Sequence, residues 1–253
     1  MILYVHLKKG FGIMEKEKDF QGVYSFTTEN NHYLTQMDIE GKNILTLGSS
    51  CDQAFNSLLL GANEVTIFDI NQHVKDFYEL KRKLILQLSR EKLVEEVINN
   101  KKFFFIEEPF SLKQLEQMDL YLRNDENYQK LRQILERKVI KFITGNIFDI
   151  KSSIIGDKKY DRVILSNVLQ YHPKKEQLNE QDVYKIYNDL SYYLNENAIV
   201  QLYYLYGSIY PKGFTKIVNE FDSHDLTFEK IKSDEQDSVI LVKKKTFYEV
   251  NPK

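Results

Sequence analysis

GKNILTLGSSCDQAFNSLLLGANEVTIFDINQHVKDFYELKRK, residues Gly41 to Lys83, decides the fold. It reads as a strand over Asn43 to Leu47, a small-residue turn at Gly48, Ser49 and Ser50, and a helix over Asp52 to Leu60. A second strand follows from Glu64 to Phe68, ending in Asp69, and then another helix. This is the pattern of a nucleotide-binding βαβ unit. A glycine at the strand end permits a sharp turn and a close ligand approach, and the helix start that follows offers unpaired N–H groups to an anionic group. Asp69 lies 21 residues after Gly48, at the carboxyl end of the next strand, where a carboxylate can take both hydroxyls of a ribose.

The ligand is narrowed by the turn itself. A dinucleotide fingerprint requires G-x-G-x-x-G, whereas GSSCDQ holds one glycine and a carboxylate, Asp52. Asp52 would repel a pyrophosphate and attract the ammonium of a methionine moiety, which favours S-adenosylmethionine over NAD. Cofactor contacts are therefore expected from Gly48, Ser49, Ser50 and Asp52, and from Asp69 with Ile70 beside it.

Downstream, Val74, Phe77, Leu80, Leu84 and Leu88 form an amphipathic helical face, and Ser89 to Glu91 can cap a second helix through Ile98. The Lys and Glu run from Lys81 to Glu96 reads as a solvated helix face. Residues 101–137, with FFFIEEPF and two leucine-spaced helices at Leu112 to Leu122 and Tyr128 to Leu135, are too long for a simple connection and read as a helical insertion. A third strand, Val139 to Thr144, ends in GNIFD, and a fourth, Tyr160 to Leu165, ends in SNVLQYH. Both are apolar along their length, as in a parallel sheet covered on both faces, and both end in small polar residues, where such sheets bind ligands. Asn146 or Asp149 can meet an adenine amino group with Ile147 and Phe148 beside the ring, and Ser166 and Asn167 fall at the sulfonium end. A helix (Gln181 to Leu194), a fifth strand (Ala198 to Tyr206), a short helix (Phe214 to Phe221) and a hairpin (Leu226 to Ile231, Ser238 to Lys243) complete the chain. The expected fold is α/β, a doubly wound, mostly parallel, seven-stranded sheet.

Upstream, residues 1–40 read either as a lid over the ligand or as a packing arm, with Tyr24, Thr28 and Glu29 the side chains of interest and Thr28 or Asn30 able to cap a short helix. Residues 41–253 form the binding domain with its insertion.

The net charge of −2 argues against a general nucleic-acid binder, although it leaves room for a local basic groove. A single cysteine, Cys51, allows no internal disulfide and points to a reducing cytoplasm. No stretch approaches 18 apolar residues, so no transmembrane span is expected, and the first residues lack the features of a signal peptide. His6, His32, His73 and His224 show no metal-ligand spacing, and no metal is assigned. Tyr171 and His172 are the candidates for acceptor contact or proton removal, since a histidine near its ordinary pKa of about 6.5 suits a general base. His172 also reads as the start of a polar loop before Pro173. Tyr203, Tyr204 and Tyr206 read either as acceptor-site lining or as ordinary strand aromatics. Cys51 lacks a basic partner nearby in sequence and reads as a small filler.

GSS after the first strand, Asp69 after the second, GNIFD after the third and SNVL after the fourth resemble the class I S-adenosylmethionine-dependent methyltransferases, whose sheet is Rossmann-like. LTLGSSCDQAFNSLLLGANEVTIFDIN followed by ELKRKLILQL is similar to the transferases that move the 3-amino-3-carboxypropyl group of S-adenosylmethionine onto diacylglycerol in betaine-lipid synthesis. That resemblance implies cofactor contacts at Gly48, Ser49, Asp52, Asn56, Asp69 and Asn71. The expected function is thus an S-adenosylmethionine-dependent transferase, a methyltransferase acting on a small-molecule or other acceptor, with 3-amino-3-carboxypropyl transfer as the alternative. A non-catalytic nucleoside-binding module is the alternative of another class.

Overall fold

The computed structural model describes residues 23–99, 111–153, 156–171, 180–205, 226–232 and 237–244. Its strands are β1 (Asn43–Leu47), β2 (Glu64–Asp69), β3 (Lys141–Thr144), β4 (Tyr160–Ile164), β5 (Leu194–Leu205), β6 (Leu226–Lys232) and β7 (Ser238–Lys244). Its helices are α1 (Asp52–Leu59), α2 (Val74–Gln87), α3 (Arg90–Asn99), α4 (Leu112–Met118), α5 (Asp125–Leu135) and α6 (Glu180–Ser191). The strands form one seven-stranded sheet of order β3-β2-β1-β4-β5-β7-β6. The first five are parallel, and β7 runs antiparallel to both β5 and β6.

Alternation along the strands sends side chains to two cores. Ile44, Ile67, Ile164 and Tyr204 pack under α1, α2 and α5. Leu45, Val163, Leu202 and Tyr203 pack under α6 and the turn at Ile147–Ser152. The register of β1 with β2 (Asn43 opposite Glu64) and with β4 (Leu45 opposite Val163) sets the three carboxyl ends side by side. Strand order reverses between β1 and β4, because β2 and β3 build outward on one side of β1 and β4 returns, still parallel, to the other. Ligands of open α/β sheets bind at such a crossing point.

Several boundaries differ from expectation. β3 starts at Lys141, leaving Val139 at 84% exposure, and β5 starts four residues earlier than Ala198, with a bulge between Gln201 and Tyr203. The expected helix at Phe214 to Phe221 and the aromatic run 103–110 lie outside the described residues. The segment before β1 is built into the core. Val23, Phe26, Tyr33, Leu34, Met37 and Ile39 are buried, and Asn30 caps the 3-10 turn Asn31–Gln36 by accepting the His32 N–H at 3.0 Å. Arg162 secures that segment from beneath, through the Met37 carbonyl and Asp38. No described helix is long and apolar enough to cross a membrane.

Candidate active site

The carboxyl ends of β1 and β2 meet at Gly48 and Asp69. Asp69 Oδ2 accepts the backbone N–H groups of Gly48 and Ser49, both at 3.1 Å, and Oδ1 accepts the Asn71 N–H at 2.8 Å. Burial pushes the Asp69 carboxyl above its ordinary range, and these amides pull against that rise. The turn N–H groups expected to face a ligand anion are thus already taken by a carboxylate of the chain itself. Gly48 is required here because a Cβ would stand 2.3 Å from Val74 Cγ1, at the start of α2. Ser49 (φ 39°) and Cys51 (φ 65°) in this turn, and Ser166 (φ 55°) after β4, all adopt the left-handed conformation. Non-glycine residues held there cost free energy and cluster at ligand sites, so the strain coincides with the crossing point between β1 and β4.

The structure corrects the expectation for Asp52. The side chain is fully buried, and Oδ1 is paired with Lys81 Nζ at 2.5 Å and accepts the Tyr121 hydroxyl at 2.8 Å. Oδ2 accepts the Thr27 N–H at 2.7 Å. Lys81 completes its three donors on the Ser25 and Ser50 carbonyls, with the Phe26 ring 4.4 Å away. Asp52 is therefore a neutralised structural anion that joins the pre-strand segment, α1, α2 and the insertion, and it is closed to a ligand ammonium. Asn56 has the same character. Its amide donates to Asp119 Oδ1 at 2.9 Å and its Oδ1 accepts the Tyr121 N–H. Lys81 is also corrected from a solvated position to a fully buried one. The signal was present in its spacing, since it falls on the stripe of Val74, Phe77, Tyr78, Leu84 and Ile85.

Asp119 shares this network, accepting Asn31 Nδ2 at 2.7 Å through Oδ1, while Oδ2 has no hydrogen-bond partner. Burial first, then the neighbouring Asp52, raises its carboxyl well above the usual range. The folded chain thus retains a proton that the unfolded chain releases above about pH 4. This contribution to stability is complete below that pH and is lost as pH rises through the raised, folded value. Asp119→Asn keeps the Oδ1 acceptor and removes the titration. It is expected to melt roughly 3 °C or more above the wild type at alkaline pH and level with it near pH 4. A difference that fails to widen with pH would contradict the protonated form.

Across the crossing point, Ser166 is held by Gln201, whose Oε1 accepts the Ser166 N–H at 2.7 Å. The Ser166 hydroxyl donates to Glu29 Oε1 at 2.5 Å, and Gln53 of α1 donates to Glu29 Oε2 at 3.3 Å. Glu29 is 1% exposed, and burial pushes its carboxyl up to about 7, with the two hydrogen bonds pulling down and Asp237 adding to the rise. Gln53 and Gln201, which hold this group, carry no distinguishing sequence pattern.

At the other end, Ile70 is 70% exposed beside Asp69. Asn71 receives the His73 N–H, and Asn146 receives the Phe148 N–H at 3.0 Å. Ile147 is buried in the second core, whereas Phe148 is half-buried and Asn146 exposed, so Ile147 supports this loop from within. Ser50 is buried with its carbonyl on Lys81, while Ser49 and Asn167 are half-buried. Cys51 is buried and burial drives its thiol far up, which suits a filler and not a nucleophile. Tyr203 and Tyr204 are buried on opposite faces of the sheet rather than set together in one lining, and the Tyr204 hydroxyl joins the Asn30 N–H to Asp237. Tyr171 closes the turn Val168–Tyr171. Its side chain lies outside the described residues, as do His172 and Tyr206. Among the described residues no cluster of three or more His, Cys, Asp or Glu is placed to hold a metal ion.

No family model and no curated protein matches the chain. Solved structures similar to it include the rRNA methyltransferase of Streptomyces viridochromogenes, at 15% identity and a TM-score of 0.48, over 89% of this chain and 88% of that one. The S-adenosylmethionine-bound magnesium protoporphyrin IX methyltransferase of Synechocystis matches at 13% identity and 0.43, over 84% and 74%. A candidate S-adenosylmethionine-dependent methyltransferase of Streptococcus mutans matches at 14% and 0.44, over 84% of this chain. The chain spans about half, 47%, of that longer protein.

Proposed function

We propose that the chain is an S-adenosylmethionine-dependent methyltransferase whose cofactor lies across the carboxyl ends of β2, β1 and β4. The observation that carries this reading is the placement of the Asp69 carboxylate on the Gly48 and Ser49 amides. An incoming pyrophosphate would meet that negative charge where a dinucleotide fold offers bare N–H donors, whereas ribose hydroxyls can donate to it. The residues present suit the nucleoside. Asp69 takes the ribose, exposed Ile70 and half-buried Phe148 flank the adenine with Asn146 in reach of its edge, and Ser166 and Asn167 border the amino-acid end. When bound, the sulfonium supplies an electrophilic methyl group. The chain's part is to hold the nucleoside in line with an acceptor near Tyr171 and His172, and such positioning supplies much of the rate.

Calorimetric titration with S-adenosylmethionine, S-adenosylhomocysteine, methylthioadenosine and NAD tests this. The first two are expected to bind and NAD is not. Asp69→Ala is expected to weaken S-adenosylmethionine binding at least tenfold, about 1.4 kcal/mol. Unchanged affinity in a variant that still unfolds cooperatively would remove Asp69 from the site. Product analysis with amine and RNA acceptors separates the chemistries. Methyl transfer leaves S-adenosylhomocysteine, aminocarboxypropyl transfer leaves methylthioadenosine, and binding without either product marks a non-catalytic module.

A further inference from the structure

With Asp52 paired to Lys81, the carboxyl buried at the end of β4 is Glu29. Among the described residues no lysine or arginine acts on it. Among the described residues the charged groups facing it are few. α1 contributes the neutral Gln53, the chain before β7 contributes Asp237, and β5 contributes the Tyr204 hydroxyl bound to Asp237. The end of β4 contributes only the neutral Ser166 and Asn167. An ionised carboxylate buried without a cation is costly, and a ligand that brings one recovers that cost. A carboxylate offers about four acceptor positions, and Ser166 and Gln53 use two.

We propose that Glu29, held by Ser166 and Gln53 over the end of β4, is the anchor for the primary ammonium of the ligand's aminocarboxypropyl group. This inference rests on the nucleoside reading above. The position follows from the sheet order: Asp69 ends β2, the Gly48 turn ends β1, and Ser166 follows β4, so Glu29 lies two strands from the ribose carboxylate. An amino-acid tail that starts at a ribose on Asp69 and crosses the Gly48 turn arrives there. Glu29 comes from the pre-strand segment, which places the anchor outside the turn that usually gives a βαβ site its specificity.

The ammonium requires the ionised carboxylate. In the free protein the Glu29 carboxyl titrates at about 7, so below that pH its O–H bond must break and the proton must pass to the buffer as the ligand binds. Affinity for S-adenosylmethionine is therefore expected to rise at least fivefold between about pH 5.5 and 7.5, with proton release seen by calorimetry in buffers of different ionisation enthalpy. The ligand's own amine titrates near 7.7–8.0, so the window stays below it. S-adenosylhomocysteine, with the same ammonium and no sulfonium, is expected to behave alike. Methylthioadenosine, which lacks the amino-acid tail, is expected to release fewer protons, leaving only what Asp69 contributes. Glu29→Gln is expected to weaken binding of both amino-acid ligands at least tenfold at pH 7.5, to abolish the difference in proton release, and to leave methylthioadenosine binding unchanged. If nucleosides bind but this variant retains wild-type affinity and proton release, the inference falls while the cofactor reading stands. Proton release confined to S-adenosylmethionine would assign the carboxylate to the sulfonium and overturn the ammonium assignment. If no nucleoside binds the wild-type chain, both readings fall together. The wild-type proton release decides the matter should Glu29→Gln fail to fold.

Discussion

Replacing Lys81 by methionine is expected to destabilise the chain by about 3 to 5 kcal/mol, the cost of leaving a buried charge without its partner. Methionine fills most of the lysine stem's volume, so packing against Phe26 and Phe77 is largely kept and the loss reports the ammonium. Three groups would each lose a donor at once: Asp52, left with the Tyr121 hydroxyl and the Thr27 N–H, and the carbonyls of Ser25 and Ser50. Those groups belong to the pre-strand segment, the turn and α1, so the effect should reach the ligand site as well as the global stability. Urea unfolding supplies the measurement. The double variant Asp52→Asn with Lys81→Met removes both charges and is expected to recover more than half of the loss, because the buried carboxylate goes with its partner. A single-variant cost under about 1 kcal/mol would mean that the pair is screened by solvent and is not a structural anchor.

Gly48→Ala should have the second large effect, on the site more than on the fold. The added Cβ would stand 2.3 Å from Val74 Cγ1, 2.8 Å from Asp69 Oδ2 and 3.0 Å from Val74 Cγ2. Either the start of α2 moves or the turn does, at about 1 to 3 kcal/mol of overpacking. A shift of about 1 Å in groups that orient a reacting molecule can lower its rate on the order of a hundredfold, and that is the loss expected in the proposed methyl transfer. Val74→Ala added to Gly48→Ala removes both methyl obstacles and leaves only the rotatable Asp69 carboxylate. It is expected to restore most of the binding and stability. Wild-type turnover from Gly48→Ala alone would detach the turn from the ligand site.

What the chain determines by itself is local and periodic. Asn43–Leu47 and Glu64–Asp69 are apolar runs bounded by turn residues, and the observed β1 and β2 match them because a buried parallel strand needs only such a run and a glycine exit. The turn at Gly48 and the position of Asp69 follow from the same short-range pattern, so the pairing of β1 with β2 and the meeting of Gly48 with Asp69 were legible. α1 and α2 were legible for the same reason, as was the antiparallel β6–β7 pair.

The identity of charge partners was decided by the tertiary structure alone. Asp52 sits beside the turn in sequence and looked like a ligand contact, yet it finds Lys81 across 29 residues and Tyr121 across 69. Glu29 reaches Ser166 across 137 residues, and Asn31 reaches Asp119 across 88. No periodicity in the chain encodes those encounters. A buried carboxylate takes whichever donor the packed layers deliver, since leaving it unpaired costs more than any local preference supplies. Asp52, at the first position of α1, is turned inward and sealed beneath the insertion, whereas Glu29, from a segment that reads equally as a lid or as a packing arm, is carried to the end of β4. Composition and spacing determined the strand ends that meet at Gly48 and Asp69, and the packing of the pre-strand segment and the insertion onto α1 decided that Asp52 pairs with Lys81 while Glu29 is bound by Ser166 and Gln53.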